Sequence, residues 1–354
     1  MAPDHRGPSP ELAKALSAWP GTFYWSQPDG PGRLVLVPRL AAAPRERWWL
    51  HVALFVVTFM TVAAGGALLA GQVPLRPAPE FAPTMAWLGL TVARWYEAIR
   101  GGADFSMALM AILLTHECGH YFLARRYLIN ASPPYFLPAP YQVNFIGTFG
   151  AFIRLRSPIA DRRQLMDVGA AGPWAGFIVS MVFLLVGLAR SQVASGGLEI
   201  SLFTPVLGID GHGYGDSAIT YAFRQLFFGD VPVLLHPLAI AGWFGVFITG
   251  LNLIPLGQLD GGHVLHALIG RRQGIVGALA WLGLLRLSEW FAGWLIWALL
   301  ILLLSRGRIV HPSVVDRHRR LPASRVAYGW ATMGLFLLTF TPAPLYFPLS
   351  SWFR

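Results

Sequence analysis

His116-Glu117-Cys118-Gly119-His120 places two imidazoles and a carboxylate at a spacing that suits a metal ion. On a helix with 3.6 residues per turn, His116 and His120 stand one turn apart on one face, so both rings reach a single Zn²⁺. Glu117 then lies beside the metal without ligating it. From there it can take a proton from a water that the metal has acidified and pass it to a leaving amine. The chemistry this spacing points to is metal-assisted hydrolysis of a peptide bond. A chance match with solvated charges competes on a soluble surface helix, but residues 106–127 are otherwise apolar and long enough to span a bilayer. Inside hydrocarbon, two histidines and a glutamate are costly unless they face a cavity, a metal or one another. A structural metal or a buried hydrogen-bonded cluster is the remaining alternative. Cys118, two residues from each histidine, points away from their face and reads as a packing residue.

A third ligand is sought in a second apolar segment. Residues 234–254 form a span that breaks at Asn252-Leu253-Ile254-Pro255-Leu256-Gly257-Gln258-Leu259-Asp260-Gly261-Gly262. Pro255 and the glycines free backbone groups that need a cavity, so a site is expected here. Alone, Asp260 reads equally well as a solvated residue at a helix end; paired with His116 and His120 it is favoured as the third zinc ligand. His263, one turn later, is a weaker rival or a partner that orients Asp260.

The elements that must position these residues are membrane helices. Residues 48–70 form a first span, with Trp48 and Trp49 behind Arg45 and Arg47 at a cytoplasmic interface. Residues 71–104 are expected outside, with an interfacial helix over 82–99. The second span carries the histidines and ends at Arg125-Arg126, so the metal lies nearer the cytoplasmic face. Residues 129–165 hold Arg154, Arg156, Arg162 and Arg163 and are cytoplasmic. Their proline-rich first part cannot be helical, and 141–155 have strand character broken by Gly147 and Gly150. A loop this apolar dips into the bilayer.

Residues 166–189 form the third span, in which Gly169, Gly172 and Gly176 read as close helix packing. Residues 190–233 form an external loop in which His212 is solvated. Residues 275–304 read as two short crossings turning at Arg286–Glu289, or one tilted helix, and 326–346 supply a last span. Near the start, strands at 22–25 and 33–37 flank Pro28-Asp29-Gly30-Pro31-Gly32 as a hairpin.

Composition agrees with this reading. The chain of 354 residues is 55% hydrophobic and only 12% charged, as expected of a polytopic membrane protein. Its net charge of +10 is concentrated in particular loops, which the positive-inside rule explains better than nucleic-acid binding. One cysteine excludes an internal disulfide framework. The expected fold is all-α with about six to seven transmembrane segments and a short membrane-associated β-hairpin. It divides into a cytoplasmic segment (1–47), a first span with an external helix (48–104), a catalytic membrane core (105–265) and C-terminal spans (266–354).

With His-Glu-Cys-Gly-His at 116–120, Asn252 and Pro255, Leu259-Asp260-Gly261, and Gly147-Thr148-Phe149-Gly150 in the apolar loop, the chain resembles the site-2 protease family of intramembrane zinc metalloproteases. The likeness covers roughly residues 105–265. It implies one Zn²⁺ per chain on His116, His120 and Asp260, with Glu117 as general base. It also implies that the stretch from Phe145 to Ile153, including Gly147, Thr148, Phe149 and Gly150, presents an edge strand to an unwound substrate, and that Asn252 contacts the substrate or the oxyanion. Asn252 otherwise reads as a cap on the broken helix. Gly257-Gln258 depart from the prolines many relatives carry there, and neither the 129–165 nor the 190–233 loop has room for an inserted PDZ domain.

The expected activity is an endopeptidase that cleaves transmembrane segments of membrane proteins near the cytoplasmic face. A peptidase of signal-peptide remnants or short peptides is the enzymatic alternative, and a metal-binding transporter or scaffold the non-enzymatic one. The expected partners are a transmembrane protein or peptide and the bilayer. Lys14 is the only lysine, an arginine bias that points to a bacterial inner membrane.

Overall fold

The computed structural model describes residues 9–26, 33–37, 45–70, 84–140, 143–194, 206–207, 213–304, 314, 316 and 320–346. The expected hairpin turn at 28–32, His212, and Arg306, Arg308, Arg317 and Arg319 lie outside these residues.

A short helix, α1 (Pro10–Ser17), opens the described chain, with the Ser9 side chain accepting from the Leu12 N–H as its cap. It is followed by the antiparallel pair β1 (Thr22–Ser26) and β2 (Arg33–Val37), the expected hairpin strands. The first long helix, α2 (Trp48–Leu69), has 22 residues, about 33 Å at 1.5 Å per residue, which is enough to cross hydrocarbon. Its last third, Val62 to Ala67, is buried.

The helix α3 (Thr84–Arg126) runs for 43 residues without interruption. The separate interfacial helix expected over 82–99 is therefore the first part of the helix that carries the histidines. The helix passes through Gly101-Gly102 without a break: Gly102 is where α3 meets the Ala63 backbone of α2, and a side chain there would collide with it. The glycine is spent on close packing, with no proline to end the helix.

A proline-rich stretch leads into β3 (Tyr135–Pro138), paired antiparallel with β4 (Thr148–Phe152) in the register Tyr135 to Phe152 and Phe136 to Ala151. Then come α4 (Arg162–Leu188), which contains Pro173, and a region expected to be only a loop. That region instead builds β5 (Gln192–Val193), β6 (Val206–Leu207), β7 (Gly213–Tyr214), α5 (Ala218–Phe228) and β8 (Val233–Leu234). A capping box between Ser217 and Thr220 starts α5.

The helix α6 (Pro237–Asn252) ends where the break was expected, and α7 (Asp260–Ile269) begins with Asp260 as its first residue. Residues 275–304 divide into α8 (Gln273–Leu287) and α9 (Gly293–Leu304), so a single tilted helix is ruled out. The last helix, α10 (Ala323–Thr339), is shorter than the expected span because Pro342 and Pro344 follow, and β9 (Leu345–Tyr346) joins the sheet in the order β5-β8-β6-β7-β9.

The fold is mostly helical with a few short strands. Among the described residues, three helices are long and apolar enough to cross a membrane: Trp48–Leu69, Trp95–Arg126 and Arg162–Leu188. The expectation of six to seven spans is not confirmed. The five-stranded sheet also departs from the all-α expectation: its strands are two residues each, too short for alternation to register in sequence.

Candidate metal centre

Three helices converge on the site. α3 presents His116 and His120, α7 presents Asp260, and α4 lies behind the two imidazoles. Ligand atoms of His116, His120 and Asp260 lie within 4.8 Å of one another. His116 Nε2 and His120 Nε2 are 3.2 Å apart, and Asp260 Oδ2 lies 3.4 and 3.3 Å from them. Around a tetrahedral zinc with bonds of about 2.0–2.1 Å, ligand atoms sit about 3.3 Å from one another. The three donors therefore fit one zinc at three corners of a tetrahedron.

The imidazoles are oriented from behind. His120 Nδ1–H donates to the Val168 carbonyl at 2.7 Å, which fixes the tautomer and leaves the Nε2 lone pair for a metal. The glycines of α4 make room for the rings. A side chain at Gly172 would overlap the His120 ring, one at Gly176 would stand 3.1 Å from His116 Nδ1, and one at Gly169 2.8 Å from His263 Cβ. What reads in sequence as generic helix packing is a bed cut for histidines. Pro173 adds a further effect: lacking an N–H, it leaves the Gly169 carbonyl without its helical donor, and Gly169 lines the cavity.

Asp260 is positioned by the broken helix. Gly261 sits where any side chain would strike the Leu253 carbonyl, and Gly262 where it would strike the Gly257 carbonyl, so the two glycines let α7 start tight beneath the turn. Gln273, fully buried, donates to the Pro255 carbonyl at 3.1 Å and holds that turn. At the other end of α7, Arg162 donates to the Ala267 and Leu268 carbonyls, both at 2.7 Å, capping the helix C-terminus with a cation. In sequence Arg162 reads only as a cytoplasmic charge.

A cavity of about 250 Å³ opens on the donors, lined by His116, Glu117, His120, Asn252, Asp260 and His263 together with Ala151, Phe152 and Ile153. Glu117 is buried and lines the cavity together with Ile153. The Asn252 amide nitrogen lies 3.2 Å from His116 Nε2, at the rim of the donor triangle.

The residues singled out in the apolar loop fall elsewhere. Only the C-terminal end of the 145–153 stretch reaches the cavity. Phe145 packs on Phe244, with ring centroids 6.1 Å apart. Gly147 has φ +84°, and its carbonyl accepts from Thr61 Oγ1 at 2.7 Å, so it fastens the turn to α2. Thr148 is buried and bonds to Leu137 and Gly150 within the hairpin. Phe149 is exposed on β4, and Gly150, at φ +96°, faces open space. Cys118 does not line the cavity, as expected of a packing residue.

The hairpin is also held at its base. Arg156 donates twice to the Glu46 carboxylate, one bond at 3.2 Å, and this hydrogen bonding holds Glu46 below the usual carboxylate range. His51 of α2 bonds the Pro134 carbonyl at 3.0 Å and packs on Tyr135, which stacks on Phe152 of the cavity wall.

Residues 104–278 match the family model of Peptidase family M50. This chain belongs to peptidase family M50. Among its relatives, the probable zinc metalloprotease EGY2 of Arabidopsis thaliana, a chloroplastic protein, is 31% identical over 258 residues, covering 71% of this chain and 44% of the relative. The probable zinc metalloprotease EGY1 of Oryza sativa subsp. japonica, also chloroplastic, is 33% identical over 181 residues, covering 49% of this chain and 29% of the relative. The M50 chain thus spans less than half the length of these curated relatives. No solved structure matches it. Family and apolar helices together make it an integral membrane protein, and because the named relatives are chloroplastic, the comparisons do not support the expected bacterial inner membrane.

Proposed function

We propose that this M50 protein is a zinc metalloendopeptidase that cleaves a transmembrane segment of another membrane protein. The observation that carries the reading is the triangle of His116, His120 and Asp260 donors at tetrahedral spacing with the Glu117 carboxylate beside it. When bound, zinc supplies a Lewis acid that polarises the scissile carbonyl and acidifies the attacking water.

The remaining work belongs to the side chains and backbone. Glu117 takes the proton of the attacking water and delivers it to the leaving nitrogen. Val168 keeps His120 in the tautomer that presents Nε2. Asn252, at the rim of the triangle, donates to the oxygen that gains charge as the carbonyl is attacked.

Strand β4 holds the substrate. Arg154 and Arg156 direct their backbone groups back toward residues 130–132. Alternation then turns the backbone of Ala151 and Ile153 the other way, toward the cavity that Glu117 also lines. A substrate unwound from its helix satisfies its own backbone against that edge. The arginine-rich ends of α3 and of the hairpin put the site nearer the cytoplasmic face.

The test is Glu117→Gln beside wild type, purified with zinc and given a single-span substrate in liposomes. Retained zinc with cleavage reduced about 10²–10⁴-fold is expected. Cleavage that persists in the variant defeats the mechanism.

A further inference from the structure

A second cavity, of about 220 Å³, lies between the tip of the β3–β4 hairpin, α6 and α9. Phe145 and Ile146 close it on the hairpin side, Phe247 and Leu251 on α6, and Trp294 and Trp297 on α9. No part of the catalytic scheme uses it. Resting on the proposed proteolysis, we infer that this cavity is a specificity pocket for one bulky apolar side chain of the transmembrane substrate, four to six residues from the bond that is cut.

Two observations fix the occupant. The first is continuity with the catalytic cavity along both walls: Leu251 lines one and Asn252 the other, while Phe145 and Ile146 lead through Gly147 into β4, whose far end lines the cavity with Glu117. Five residues of strand span about 16 Å, so a chain laid along β4 from the donors arrives at the hairpin tip four to six residues later.

The second is depth. The tip rests on Thr61 and Gly65 of α2, where a side chain at Gly65 would collide with the Phe145 carbonyl. Thr61 is thirteen residues into the chain from Trp48, about 20 Å along the helix, so the pocket receives the part of a substrate that still lies in hydrocarbon.

The experiment uses the full chain, zinc-loaded, with synthetic single-span peptides that share one cleavage region and carry Ala, Leu or Trp at each position three to seven residues from the cut. Binding is read on Glu117→Gln protein and cleavage on wild type. Wild type should favour Leu over Ala about tenfold or more in kcat/KM at one position between four and six. Phe247→Ala, which enlarges the pocket, should move the preference at that same position toward Trp.

Cleavage that is indifferent to the scanned residue, or a preference unmoved by Phe247→Ala, overturns the pocket while leaving the protease standing. Variants that change only the co-purified lipid make the occupant an acyl chain and likewise overturn it. Position-dependent binding to Glu117→Gln protein without cleavage by wild type keeps the pocket and removes the protease.

Discussion

The metal centre and the β3–β4 hairpin sit side by side in one cavity but are held in different ways. His116, His120 and Asp260 are fixed by interlocked helices: glycines of α4 against imidazole rings, glycines of α7 beneath a tight turn, and Arg162 on the far end of α7. The hairpin is held on α2 and the residues just before it by polar contacts, Thr61 to Gly147 at the tip and Arg156 to Glu46 at the base, and by Phe136 packed edge-on against Phe55. Chemistry that needs three donors at fixed separations demands a packed bed, since an error of a few tenths of an ångström is felt at a metal. A surface that must admit an extended chain tolerates a looser mount. Changes in the helical bed should therefore remove metal and rate together, and changes at the mount should raise KM while leaving zinc in place.

The largest effect is expected from Gly172→Ala. Its new methyl would overlap the His120 ring, so the ring must leave the position that completes the donor triangle. Zinc affinity should fall at least about a hundredfold, with cleavage lost in parallel. Elemental analysis of the purified variant checks this, and full zinc occupancy would show that the bed is softer than the packing implies. Asp260→Ala and His116→Ala should lose zinc as well, because each removes one corner of the same triangle.

Gly147→Ala comes next and tests the mount at the tip. The residue has φ +84°, and a methyl group there would meet the Thr61 carbonyl of α2, so the turn must shift as well as strain. A rise in KM of about tenfold or more with zinc content unchanged is expected. Gly150→Ala is its control: φ is also positive, +96°, but nothing lies within 4 Å, so only backbone strain of about 1 kcal/mol remains. A Gly150 variant as impaired as the Gly147 variant would mean that the tip contact with α2 is immaterial.

The same contrast explains what could be read from the sequence. Two histidines and a glutamate at helical spacing announce themselves because apolar surroundings make them expensive, and Asp260 is marked by the proline and glycines that break its helix. The packing bed is present in sequence as Gly169, Gly172 and Gly176, but small residues at intervals of three and four are equally the mark of plain helix contact. Only the partner, a pair of imidazoles, separates the two. The hairpin was legible as non-helical, yet which of its residues face the donors depends on register. Thr148 and Gly147 turned out to hold the strand in place, while Ala151 to Ile153 reach the cavity. The continuity of α3 through Gly101-Gly102 depends on a neighbour that no local pattern encodes.

The smallest effect tests the base of the mount. Glu46→Gln keeps the shape but removes the charge that receives Arg156, at a partly exposed site where such a pair contributes about 1 kcal/mol or less. A rise in KM of about two- to fivefold, with kcat and zinc unchanged, is the expected result. The pair also has a pH signature. Glu46 has a lowered pKa because Arg156 hydrogen-bonds its ionised form, so its contribution is complete above the ordinary carboxylate pKa and is lost only as pH falls through the lowered one. Between about pH 6 and 8 the ratio of KM values for Glu46→Gln and wild type should therefore stay constant, and the two should converge only in more acid solution. A ratio that changes inside that window would mean that the coupling runs through His51, whose Nε2 lies 3.7 Å from the Glu46 carboxylate, and not through Arg156 alone.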